Sequence, residues 1–92
     1  MAGGAAITNY IVKERIKAFK KEVLSIFDRE EFRVHGLKFE GIMNLLENKR
    51  RRIPVFFDER IVLNLLEKLI EEGLVYCTYE ENERVFFLEK RK

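Results

Sequence analysis

Few side chains in this chain have the type and setting that chemistry needs. His35 is the only histidine and Cys77 the only cysteine. A general acid–base histidine requires a cleft, a reacting partner and a group that orients its ring. The sequence around His35 offers none of these, and His35 reads as a partly exposed residue of a short strand. Cys77 cannot form an internal disulfide and has no cysteine or histidine near it to complete a metal site. With no basic neighbour on its strand to favour the thiolate, it reads as a small buried side chain. Asp28, Glu30 and Glu31 could attract a cation, but adjacent carboxylates at a helix end are ordinarily solvated. There is no glycine-rich phosphate loop, metal-ligand spacing or nucleophile motif. The expectation is therefore a protein that is not an enzyme and holds no cofactor or metal.

The cations carry more information. Lys49, Arg50, Arg51 and Arg52 are adjacent, and such a run can hold phosphates and release counterions without reading a sequence. Arg60 and Asn64 lie one helical turn apart, with the side-chain types that make bidentate contacts to guanine and adenine edges. The net charge of +2 conceals an uneven distribution. Residues 1–60 carry 13 basic and 9 acidic side chains, whereas residues 61–89 carry 2 and 7. Positive charge is thus concentrated before the last helix and hairpin, and Lys90, Arg91 and Lys92 add a basic tail.

Composition bounds the fold. Ninety-two residues suffice for one domain with a modest core, and 47% apolar with 37% charged residues is a globular balance. No apolar run approaches the roughly 18 residues that span a membrane, and the start, Met1 to Ala6, lacks the features of a signal peptide. A soluble, cytoplasmic protein without membrane insertion is expected, with residues 1–7 a flexible N-terminus, 8–89 a single domain and 90–92 the tail.

Several elements must position these groups. Thr8 or Asn9 can cap a first helix whose apolar positions Val12, Ile16, Phe19, Val23 and Ile26 step by four and three. That seam could pair with a second copy, giving a homodimer. The helix should end near Asp28, and Phe32 to Leu37 reads as an extended segment broken by Gly36. A second helix, 38–48, buries Phe39, Ile42, Met43, Leu45 and Leu46. Pro54 marks a connector that a helix cannot cross. Asp58 caps a third helix and Gly73 stops it. Residues 74–79 and 84–88 are β-branched and aromatic runs on either side of Glu80–Glu83, which predicts a hairpin.

The order helix, short strand, helix, helix, hairpin, together with the stretch Leu65–Val75, resembles the winged-helix superfamily. That resemblance implies an α+β winged helix-turn-helix with three helices and a C-terminal β-hairpin wing. It also implies binding of double-stranded DNA by a transcriptional regulator, with Arg60 and Asn64 as base contacts and Lys49, Arg50, Arg51 and Arg52 as phosphate contacts. The connector of about nine residues is longer than the turn of the simplest helix-turn-helix proteins. The abundance of Lys, Arg and Glu, with no glutamine and one serine, resembles proteins of hot-growing archaea and their viruses.

Two features oppose deep insertion of the third helix in a groove. Ile61, Leu63 and Ile70 widen its apolar arc to about 200°, beyond the roughly 100° a core needs. Glu67 and Glu71 would face phosphates, and the hairpin tip, Glu80, Glu81 and Glu83, has no basic grip. The spacing from Phe39 through Asp58 and Glu59 to Leu65 and Leu66, ending at Arg84–Phe87, is also similar to a winged helix of the ESCRT-II small subunit. This implies an alternative protein partner, held by a patch of Ile61, Leu63 and Ile70.

Overall fold

The computed structural model describes residues 2–89, with side chains from residue 12 onward; Met1 and the tail Lys90–Lys92 lie outside the described residues. The architecture is α+β. Helices α1 (Ala2–Ile26), α2 (Glu30–His35), α3 (Phe39–Asn48) and α4 (Glu59–Glu71) accompany strands β1 (Leu37–Lys38), β2 (Val75–Glu80) and β3 (Glu83–Leu88). A 3-10 turn, Arg50–Arg52, follows α3. The antiparallel sheet has the order β1-β3-β2, so β1 crosses both later helices in sequence to pair with β3.

Four helices replace the three expected. The extra one is α2: Glu30 and Glu31 sit in its first turn and Arg33 and His35 in its last, the charge order that a helix dipole favours. The extended segment shrinks to Leu37 and Lys38, paired with Phe86 and Val85. His35 therefore ends a helix and is not a strand residue. Helix α1 starts at Ala2, ahead of Thr8 and Asn9, which lie inside it and do not cap it.

The remaining boundaries follow local chemistry. The Asp58 carboxylate accepts from the Ile61 N–H at 2.9 Å and caps α4. At its other end Gly73, with φ of 74°, donates to the Ile70 carbonyl, and Leu74 donates to the Leu69 carbonyl, both at 3.0 Å. These two bonds form the Schellman arrangement that satisfies terminal carbonyls. The hairpin closes through Glu81 and Asn82, both at positive φ (52° and 68°), the geometry of a tight two-residue turn matched to strand twist.

The core gathers Phe19, Val23, Ile26 and Phe27 of the α1 end, Ile42 and Leu46 of α3, Phe57, then Val62, Leu66 and Leu69 of α4, with Val75 and Phe86 from the sheet. Phe19 and Phe57 stack with centroids 5.6 Å apart. The opposite face of β3 is covered by the α2–β1 corner. There Gly36, at φ of 74°, comes so near that a Cβ would lie 2.6 Å from Val85 Cγ1 and 2.7 Å from Phe87 Cζ. Glycine is required at that corner both for its backbone angle and for its lack of a side chain.

Candidate nucleic-acid interface

Helix α4 buries Val62, Leu66 and Leu69. At 100° per residue, the ridge farthest from that stripe carries Arg60, Asn64, Glu67 and Glu71, all of them exposed. Arg60 and Asn64 make no ion pair or side-chain hydrogen bond among the described residues, so their polar groups face outward from the first two turns. Glu67 is occupied: Arg84 of β3 reaches it, Nη1 to Oε1 at 2.5 Å. The same guanidinium lies 5.0 Å from the Phe86 ring centroid and donates to Cys77 Sγ at 3.5 Å. The hydrogen bond to the sulfur, then the one to Glu67, raises the Arg84 pKa above its ordinary value. Cys77 is half-buried and has a basic neighbour after all, one supplied by the facing strand.

The four connector cations divide into two kinds. Lys49 approaches α1, with Nζ 3.6 Å from the Glu22 carboxylate and 3.4 Å from the Ser25 hydroxyl. Arg50 donates through Nε to Glu47 at 2.9 Å and through Nη2 to the Phe57 carbonyl at 3.4 Å, with its guanidinium 4.1 Å from the Phe57 ring centroid. The Arg50 hydrogen bond holds the Glu47 carboxyl below the usual carboxylate range, and the arginine is shifted upward in turn. Phe57 immediately precedes the cap of α4, so Arg50 ties the 3-10 turn to the start of that helix. Arg51 and Arg52 are exposed and have no ion-pair partner among the described residues.

The expected dimer seam is divided by the edge of the domain. Phe19, Val23 and Ile26 are in the core, whereas Val12 and Ile16 are 48% and 49% exposed. The first three cannot face a second copy while they pack the interior. The alternative protein patch divides as well. Ile61 and Leu63 are both exposed, but they lie on opposite flanks, about 160° apart around the helix, with half-buried Ile70 on the flank of Leu63. Leu63 instead shares a cleft of about 440 Å³ with Phe39, Tyr79, Lys38 and Arg84, between α4 and the hairpin.

The hairpin tip is acidic as expected; Arg84 turns back toward α4, and the tip is offset only at Glu83, by a lysine. Lys38 of β1 pairs with Glu83 at 3.1 Å, which raises the lysine pKa. Asp28 pairs with Arg33, and no cluster of three His, Cys, Asp or Glu able to hold a metal occurs among the described residues. No helix among them is long and apolar enough to cross a membrane. Comparison with protein-family models, curated proteins and solved structures finds no match to this chain.

The contacts that cross the fold leave little local signal in the sequence. Nothing local to Arg84 indicates Glu67 or Cys77 as partners, and nothing local to Arg50 indicates Phe57. The alternation of the hairpin was the available signal: Cys77 and Arg84 fall on the same face once Tyr79 pairs with Arg84.

Proposed function

We propose that this chain is a winged-helix protein that binds double-stranded DNA with the first two turns of α4 and the 3-10 turn before it, occupying a site without chemistry on it. One observation carries the reading. Arg50 fastens its turn to Phe57 at the entry to α4, which supports a shared use of the exposed Arg51 and Arg52 with Arg60, beside Asp58 and Glu59, and with Asn64 one turn further on. The sheet order β1-β3-β2, with α3 and α4 between β1 and the hairpin, supports the winged-helix assignment. Pairing of Glu67 with Arg84 removes one of the acidic charges that would oppose phosphates. Glu71 and the hairpin tip stay acidic, so the rear of α4 and the wing contribute little.

In this reading Arg51 and Arg52 hold phosphates, and Arg60 and Asn64 discriminate bases, each bidentate contact being worth about 1–3 kcal/mol. The test is a salt titration of duplex binding. Replacing Arg51 and Arg52 by alanine weakens binding to every sequence and flattens the slope of log K against log salt by about 0.9 per lost contact. Replacing Arg60 or Asn64 relaxes discrimination between sites and leaves non-specific affinity much less affected. Absence of duplex binding by the unaltered protein at low salt refutes the reading.

A second reading has one observation in its favour, the apolar surface of Leu63, Phe39 and Tyr79 in the cleft between α4 and the hairpin. There the domain would bind a protein beside its acidic wing. Leu63→Ser separates the two: it leaves duplex binding near normal if DNA is the ligand at α4, and abolishes association if that cleft is the site.

A further inference from the structure

We propose a second docking surface, a trough between α1 and α4 that receives an acidic amphipathic helix from another protein. Along α1, Val12 and Ile16 continue the stripe that buries Phe19 and Val23, yet both remain about half exposed (48% and 49%). A 25-residue helix is about 37 Å long, longer than either short dimension of a molecule measuring 53 × 29 × 24 Å. The domain therefore covers the described stripe from Phe19 onward and leaves Val12 and Ile16 half exposed. Facing Ile16 across the trough is Leu65 of α4, and Lys13, Lys17, Lys20 and Lys68 line its sides in a space of about 300 Å³. Ile61 is exposed on the same flank of α4 as Leu65. An apolar floor along a helix, open at the top, is the form of surface that takes a partner helix by its i, i+3/i+4 and i+7 side chains.

Charge decides the occupant. Glu72 lines the trough as well, but its carboxylate is held by Lys20 at 2.8 Å, and Lys17 makes only a loose pair with Glu14 at 3.7 Å. Lys13 and Lys68 have no ion pair among the described residues. A second copy laying its own α1 here would bring another Lys13, Lys17 and Lys20 against this rim, and like charges at that range oppose association. A nucleic acid backbone would satisfy the lysines but leave Ile16 and Leu65 without apolar cover. A helix with leucine-type residues on one face and carboxylates on its borders satisfies both parts of the surface.

The probe is a fluorescein-labelled synthetic helix with leucines on one face and glutamates on the other, compared with the same peptide carrying lysines for glutamates, both titrated with the full chain by anisotropy. The acidic peptide binds and the lysine peptide does not. Ile16→Asp weakens the acidic peptide by at least about tenfold, a change of about 1.4 kcal/mol. Lys13→Glu with Lys68→Glu does the same and gains binding to the lysine peptide, a reversal that unfolding could not produce. Equal binding of the two peptides, or binding of neither, overturns the proposal. So does a native dimer that Ile16→Asp converts to monomer in sedimentation, which would make a second copy the occupant. A double lysine variant that loses duplex binding but keeps the acidic peptide also overturns it.

Discussion

Gly36→Ala and Gly73→Ala form a pair whose difference reports the backbone conformation and the close contact at the α2–β1 corner. Both glycines have φ of 74°, where an alanine costs about 1–2 kcal/mol in the left-handed region, and Gly36, with ψ of −174°, lies in a region almost confined to glycine, where the cost is about 1–3 kcal/mol. At Gly73 nothing lies within 4 Å of the added Cβ, and the conformational cost is the whole effect. At Gly36 the new carbon meets Val85 Cγ1 at 2.6 Å and two atoms of the Phe87 ring at 2.7 and 2.8 Å. Val85 is buried and Phe87 is stacked on Tyr76 at 5.1 Å, so neither yields freely. Displacing packed side chains adds about 1–3 kcal/mol, which with the backbone cost brings the expected loss for Gly36→Ala to about 2–6 kcal/mol. The stiffer unfolded chain returns only about 0.4–1 kcal/mol in both variants and cancels in the comparison. Urea unfolding of the two variants and the parent measures the difference from shifts in midpoint at constant slope. Equal losses would refute the close approach of the α2–β1 corner to β3, and with it the placement of β1 beside that strand.

Three further outcomes follow from the same geometry. Arg50→Ala lowers the melting temperature more than Arg51→Ala or Arg52→Ala, because only Arg50 packs on Phe57 and bonds Glu47; thermal melts of the three single variants check this. Because the Glu47 carboxyl is held below its ordinary value in the folded state, its contribution is complete above the unfolded pKa of about 4.3 and is lost as pH falls through the lowered folded value. Carboxyl-detected NMR titration therefore finds Glu47 titrating at lower pH than in the Arg50→Ala variant. Asp58→Ala removes the acceptor for the Ile61 N–H and costs about 1 kcal/mol in denaturant unfolding.

Local signals made α4 and the hairpin legible. Asp58, the shared side of Val62, Leu65, Leu66 and Leu69, and Gly73 each state a boundary or a face by their own chemistry, and the structure realises them with Leu65 only half-buried. Helix α1 shows the limit of that logic. Periodicity gives the face of Val12, Ile16, Phe19, Val23 and Ile26, but the point where the domain ceases to cover that face depends on elements far along the chain. Seen locally, the five residues are equivalent, whereas in the fold the last three are interior and the first two are surface. The same holds at the candidate interface. The run Lys49–Arg52 is visible as charge, but its division into Lys49, held at Glu22, Arg50, fixed on Phe57, and the exposed Arg51 and Arg52 arises only when the connector folds. The pairing of Arg84 with Glu67 likewise depends on the strand register.

The measurement closest to the central proposal is a backbone amide NMR map of the protein with and without a duplex it binds. The largest shifts are expected at Arg51, Arg52, Arg60 and Asn64, diminishing along α4 toward Glu71, with little change at the Glu80–Glu83 tip. Shifts centred on the hairpin tip, or none at α4 when duplex is present in excess at low salt, would contradict that proposal.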